Sequence, residues 1–234
     1  MVEELDLEKI GERELNARLQ ALTGNGNKVV LCNTHARHNI AVNVSGELEI
    51  QVQGSAGFYC GGFMNGPRLL VTGNVGWYAA DNMLGGKLIV QNNAGSNLAP
   101  SMIGGTVIVR GSAGSRVGYG LKGGAVIVCG NVGMLTGQQM LGGRVVLLGR
   151  VGERTGESMY GGMIIYRRGA VASIGNNIRV RPLEPADVQA LNSLFQENDI
   201  QADPNEFECL VPRLGKHTFH LFKPEFTPRE SVSP

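Results

Sequence analysis

A segment of nineteen residues recurs seven times without insertion, at 49–67, 68–86, 87–105, 106–124, 125–143, 144–162 and 163–181. A fixed period near 20 marks stacked units, none of which can bury its apolar face alone. The columns of the repeat define the unit. Its second place reads Ile50, Leu69, Leu88, Val107, Val126, Val145, Ile164, and its fourth reads Val52, Val71, Val90, Val109, Val128, Leu147, Tyr166. Apolar β-formers two residues apart describe a short strand with one face inward. The sixth place is Gly or Asn (Gly54, Gly73, Asn92, Gly111, Gly130, Gly149), and Gly57, Gly76, Gly95, Gly114, Gly133 and Gly152 fill the ninth. These mark corners, where Gly and Asn tolerate positive φ. The eighth place stays small and apolar from Ala56 to Ala170, and the sixteenth carries Met64, Met83, Met102, Leu121, Met140, Met159 and Ile178.

Glycine scattered through the unit excludes a helical repeat, because each interior Gly costs roughly 1 kcal/mol against Ala. Nineteen residues hold three short strands and three corners. Stacked, such coils make an all-β fold, a right-handed parallel β-helix of about seven coils with like residues laddered in its lumen. At about 4.8 Å per coil the stack spans roughly 30 Å.

The rest of the chain flanks this core: 1–48 as an N-terminal helix and cap, 49–181 as the β-helix, and 182–234 as a C-terminal helix and extended arm. Residues 6–22 read as a helix capped by Asp6, with Ile10, Leu15, Leu19 and Leu22 at helical spacing and a Thr23-Gly24-Asn25-Gly26 stop. Val29, Val30 and Leu31 form a short strand, followed by an irregular cap over 33–44 that covers the open end of the stack. Residues 184–196 read as a second helix with Pro185 at its first position. The tail from Phe207 to Phe226 is too apolar for disorder, and either folds back along the β-helix or reaches a partner.

Candidate chemistry is sparse. A net charge of +1 with no basic stripe does not suggest nucleic acid. Four cysteines (Cys32, Cys60, Cys129, Cys209) at unpaired spacing, and the lack of a signal segment or long apolar run, predict a reduced cytoplasmic protein off the membrane. Cys32-x-x-His35-x-x-His38 is the one close cluster of ligand types. Zinc needs about four such ligands, and His217 and His220 lie in the far tail, so polar cap residues bonding irregular backbone are the better reading. Gly118-x-Gly120-x-x-Gly123 has the letters of a dinucleotide fingerprint without its strand–turn–helix setting, and its first and third glycines are repeat positions. No histidine stands between 39 and 216, and the coil carboxylates Glu49, Asp81, Glu153 and Glu157 occupy different columns. No catalytic, cofactor or metal residues are therefore assigned.

Two surface features point to association. The third place faces outward, yet reads Gln51, Leu70, Ile89, Ile108, Ile127, Val146, Ile165, a strip that either the arms or a partner must cover. Phe58, Tyr59, Trp77 and Tyr78 are adjacent aromatics on the turn columns of the first two coils. They suit an interface, with packing beneath the N-terminal arm as the alternative.

The runs Gly54-Ser55-Ala56-Gly57, Gly73-Asn74-Val75-Gly76 and Gly111-Ser112-Ala113-Gly114, with Met-x-Gly-Gly closing several coils, resemble the GXGXG β-helix at the C-terminus of the glutamate synthase large subunit. The same repeat occurs in one of the subunits of formylmethanofuran dehydrogenase. The lead-in from Asn33-Thr34 to Val44-Ser45-Gly46-Glu47 resembles the glutamate synthase version, and the likeness covers 33–181. The resemblance implies a non-catalytic structural subunit of a hetero-oligomer that organises transfer of ammonia or methylamine. It also implies a glutaminase-type amidotransferase and an FMN-dependent synthase as partners, with FMN and iron–sulfur clusters held by them. The chain begins Met1-Val2, without the N-terminal cysteine of such glutaminases. Stand-alone forms of this size are similar to the small subunit of N-methylglutamate synthase. A formylmethanofuran dehydrogenase-type subunit is the alternative assembly, and an independent β-helix enzyme the alternative class.

Overall fold

The first four places of each copy form a strand: β3 (Glu49–Val52), β4 (Arg68–Val71), β5 (Lys87–Val90), β6 (Thr106–Val109) and β7 (Ala125–Val128), then the longer β8 (Leu141–Leu147) and β9 (Gly161–Arg167). The structure is a computed structural model describing residues 2–24 and 26–213. Each strand pairs in parallel with its counterpart one repeat on, Ile50 with Leu69, Leu69 with Leu88, Val107 with Val126. The result is an all-β solenoid of about seven turns, with two short α-helices among the described residues. Places two, four and sixteen point into the lumen. The whole Met64–Met83–Met102–Leu121–Met140–Met159–Ile178 ladder is buried.

Only one side of each coil is a regular strand, not three. Place eight contributes isolated bridges, Ala56 to Val75 to Ala94 and onward to Val151. The seventh coil carries an extra residue there, so Val171 rather than Ala170 meets Val151. On the third side φ is positive at alternate residues, Tyr59, Gly61 and Phe63 in one coil and Tyr78, Ala80 and Asn82 in the next. A β-ladder cannot adopt that backbone. These residues still bond from coil to coil, as in Tyr59 N–H to Trp77 O at 3.0 Å and Gly61 N–H to Ile40 O at 2.8 Å.

Of the corner glycines only Gly54 has the expected positive φ, at 110°; the others have a different cause. Gly149 and Gly95 do not have positive φ, but a Cβ on Gly149 would lie 2.4 Å from the Gly130 carbonyl oxygen, and one on Gly95 would lie 2.4 Å from Trp77 Cδ1. Close approach of the preceding coil leaves no room for a side chain at these two glycines. Between the two corners, place seven locks coil to coil. The side-chain oxygens of Ser55, Asn74, Asn93, Ser112 and Asn131 each accept the N–H of the seventh residue of the next coil, at 2.8–3.0 Å.

The N-terminus differs from the sequence reading. Residues 2–6 are strand β1 (Val2–Asp6), and helix α1 (Glu12–Ala21) starts later, behind Gly11. Strand β2 (Lys28–Cys32) pairs in parallel with both β1 and β3. Residues 28–48 are therefore not an irregular cap but one further coil, slightly longer than the rest. It bonds forward through Asn39 N–H to Phe58 O and Asn43 N–H to Gly62 O, both at 2.8 Å. Helix α1 then closes the stack. Leu15 and Leu19 plug the lumen, while Asn16 and Gln20, one turn apart, bond the free backbone edge of this coil. Asn16 donates to Asn39 O at 2.8 Å and accepts from Val42 N–H at 3.0 Å; Gln20 donates to Ser45 O at 3.0 Å and accepts from Ser45 N–H at 2.8 Å. Two side-chain amides thus stand in for the missing coil.

At the other end β10 (Ile178–Pro182) leaves the stack, and α2 (Pro185–Gln196) follows with a capping box between Glu184 and Asp187. The chain returns as β11 (Phe207–Pro212), antiparallel to both β9 and β10, so the last coil has no bare edge on that side. The tail residues Phe219, Leu221, Phe222, Phe226, His217 and His220 lie outside the described residues.

Two substitutions test this arrangement by urea unfolding. Met140→Asp should cost several kcal/mol, because an ionised group in the lumen has no partner. Gly149→Ala should cost about 1–3 kcal/mol through overpacking. An unchanged midpoint for either would contradict the inward ladder or the close-approach corner, respectively.

Candidate partner interface

His35 and His38 line one open cavity of about 360 Å³ with Glu8, Glu12 and Arg37, but their side chains are already engaged. His35 Nε2 meets Glu8 at 2.9 Å, His38 Nδ1 accepts the Phe58 N–H at 2.9 Å, and Cys32 Sγ donates to Leu5 O. Among the described residues no three His, Cys, Asp or Glu converge as a metal set would. All four cysteines are free thiols. Burial pushes each above its ordinary pKa, Cys60 to about 12, which makes them poor nucleophiles. Gly118 and Gly120 sit with positive φ in a solenoid corner rather than between a strand and a helix. No described helix is long and apolar enough to cross a membrane.

The place-three strip is not open to a partner. Ile89, Ile108, Ile127, Val146 and Ile165 are buried beneath this chain's own C-terminal arm, in a second core with Leu191 and Phe195 of α2, Ile200, Phe207 and Cys209. Ile127 has no exposed surface. The physical reason is pairing between two apolar faces of the same chain: α2 presents Leu191 and Phe195, and β11 lays Phe207 and Cys209 beside β9. Arg110 fastens the turn after α2 by donating to Asn198 O at 2.8 Å, and Arg181 bridges to Asp187 at 2.8 Å. Ile89, Ile108 and Ile127 are thus corrected from interface to core. Leu70, near the end of the strip, stays half-buried against the same cluster.

The aromatic residues have the opposite fate. Register places each ring one coil above the next, so they stack on the outside of the corner. His38 lies on Phe58 at 4.6 Å between centroids, Phe58 on Trp77 at 5.7 Å, and Tyr59 on Tyr78 at 5.1 Å, each pair within 20° of parallel. Phe58, Tyr59 and Trp77 are exposed, Trp77 by 53%, and Tyr78 is half-buried. Packing under the N-terminal arm is therefore not their role. Phe63 and Leu84 add exposed apolar surface in the same two coils. Beside the Tyr59 ring is a cavity of about 290 Å³ lined by Asn39, Val42, Tyr59, Gly62, Phe63 and Asp81.

Residues 17–196 match the GXGXG motif family. The chain belongs to that family. The matched span includes half of α1 and all of β2, β10 and α2, and leaves out β1 and β11. Among solved structures, the GXGXG chain is similar to a chain of the formyltransferase/hydrolase complex (FhcABCD) from Methylorubrum extorquens, determined in complex with methylofuran. The two share 19% identity and a TM-score of 0.64, over 87% of this chain and 86% of the other. At that identity the likeness is one of fold. No curated protein matches the chain.

Sequence reasoning missed Phe63, Leu84 and Asp81 as parts of the exposed corner. Their columns carry no shared residue type: place fourteen reads Gly62, Asp81, Pro100, Tyr119 in successive coils. The available signal was proximity to Tyr59 and Tyr78 across one repeat.

Thermal melts of the lone chain separate the two surfaces. Ile127→Lys should unseat the arm and lower Tm well beyond the roughly 2–4 °C that each kcal/mol is worth in a chain of this size. Trp77→Lys should leave Tm within error. The reverse ranking would put the strip outside and the aromatics inside.

Proposed function

We propose that this GXGXG chain is a non-catalytic structural subunit of a hetero-oligomeric enzyme complex, docking its partners through the stacked aromatic corner. The observation that carries the reading is the contrast between the two apolar surfaces. One is covered by the chain itself, and the other, of Phe58, Tyr59, Trp77 and Phe63, is left open in a fold with no metal-holding set of His, Cys, Asp and Glu among the described residues. Monomers rarely expose contiguous aromatics, and Trp and Tyr are the residues that most often dominate interface energies.

Which complex is the finer question. The fold likeness spans nearly the whole of both chains, so the neighbour is itself a subunit made almost entirely of this unit. That supports a formylmethanofuran dehydrogenase-type assembly with formyltransferase/hydrolase partners. The lead-in from Asn33 to Glu47 favours a second reading, a glutamate synthase-type complex. There the partners are a glutaminase-type amidotransferase and an FMN-dependent synthase, which carry FMN and iron–sulfur clusters and make glutamate or N-methylglutamate. In either case the physical requirement is the same: a reactive group passed between active sites is diluted in water unless those sites are held in fixed relation.

Purification of the tagged chain from its native cells tests both levels. A scaffold should bring down stoichiometric partner chains, and Trp77→Ala with Phe58→Ala should weaken that association by 100-fold or more, as loss of about 3 kcal/mol at an interface centre requires. Formyltransferase/hydrolase activity in the eluate supports the first assembly; flavin absorbance with glutamine-dependent synthesis supports the second. Recovery of the chain alone, with an activity of its own, would overturn the scaffold reading.

A further inference from the structure

Asp81 occupies an unusual place for a carboxylate. It lines the small cavity at the exposed corner with Tyr59 and Phe63, whose other walls are Val42, Gly62 and Asn39. The lining is largely hydrocarbon, and the carboxylate is half-buried. Among the described residues it receives one side-chain donor, Asn82 Nδ2 at 3.0 Å, and forms no ion pair. Burial raises its pKa against the pull of Asn82 and of the more distant Lys122. A carboxylate whose folded pKa is raised favours the fold less as pH rises through that range, so at neutral pH the ionised Asp81 costs stability. A residue that costs stability, set in a cavity beside two rings, is a candidate for binding rather than for folding.

Ring edges and faces with one carboxylate define the chemistry of the guest. An ammonium group is attracted to the faces of Tyr and Phe and pairs with the carboxylate, while its alkyl stem suits the apolar wall. At about 290 Å³ the cavity is at the lower edge of the roughly 300–1,000 Å³ of small-molecule sites, which suits one side chain better than a whole metabolite. The cavity also opens within a wider exposed aromatic surface, which a free amine would not need but a protein face would. We propose that the Asp81 cavity is an alkylammonium site that receives a lysine side chain of the partner subunit docked on the aromatic corner. The occupant, though not the site, rests on the scaffold reading above.

Two experiments with the full chain separate site from occupant. In the first, the chain is titrated with n-butylammonium, a mimic of the lysine side chain, and with 1-butanol, its neutral counterpart, and followed by NMR. Butylammonium should shift the Tyr59, Phe63 and Asp81 resonances, butanol at the same concentration should not, and Asp81→Asn should weaken butylammonium binding at least tenfold. Because Asn keeps the contact to Asn82, the same variant should melt no lower than wild type. A carboxylate with a merely structural role would instead lower Tm on substitution. Equal binding of butanol, or binding indifferent to Asp81→Asn, overturns the cation site while leaving assembly through Trp77 and Phe58 intact. In the second, the native complex is reassembled with Asp81→Asn, with at least tenfold weaker association expected. Loss of butylammonium binding together with wild-type assembly would overturn the partner lysine as occupant and assign the site to a free amine.

Discussion

Successive coils of this protein lie so close that glycine fills the two corners of nearly every repeat. At Gly149 a Cβ would meet the carbonyl oxygen of Gly130 at 2.4 Å, and at Gly152 it would meet the carbonyl carbon of Gly133 at 2.6 Å. Inter-coil hydrogen bonds hold this spacing, and the spacing governs everything stacked on it. With the backbone held at hydrogen-bonding distance, like residues fall into ladders: methionine on methionine in the lumen, and the Ser/Asn oxygens of place seven on successive N–H groups. The period holds without a gap through six copies and shifts only at Val171, in the last, with register regained where Thr155 meets Ile174.

A stack of this kind has two open ends and one regular sheet, and the flanking segments resolve all three. Asn16 and Gln20 of α1 supply the hydrogen bonds a preceding coil would have made. β11 closes the last coil by running antiparallel to β9, and α2 covers the outer face of the sheet. The edge strand β1 carries Glu3, Glu4 and Asp6, and β10 at the other edge carries Arg179 and Arg181, charges that discourage further strand addition. With sheet edges and sheet face closed in this way, the corner of stacked rings stays open. The same register that builds the lumen ladders builds that surface, because Phe58 and Trp77 share a column as Met64 and Met83 do.

The fold is legible in the sequence because its information is periodic: one column of Val and Ile and one of Met identify strand and lumen without any partner in view. What is not legible is what depends on contacts between distant segments. Ile127 and Phe195 are both plainly apolar, but nothing in either stretch says that one covers the other. The segment 28–48 reads as a cap because its two added residues hide the repeat, although it bonds to the next coil as the others do. Glycine at the corners is recognisable but its cause is not, since a sequence does not distinguish a residue needed for positive φ from one needed for lack of bulk. The aromatic corner is visible as four residues. Its extension through Phe63 and the Asp81 cavity is not, since these columns change type from coil to coil.

Hydrogen exchange compared between the lone chain and its native complex addresses the central claim, that this solenoid covers its own strip and offers its aromatic corner. The result expected is that amides of β5 to β9 and of α2 are already protected in the lone chain, while assembly adds protection across the first coils, around His38, Phe58 and Trp77. New protection along α2 and the strip, with the aromatic coils unchanged, would contradict it.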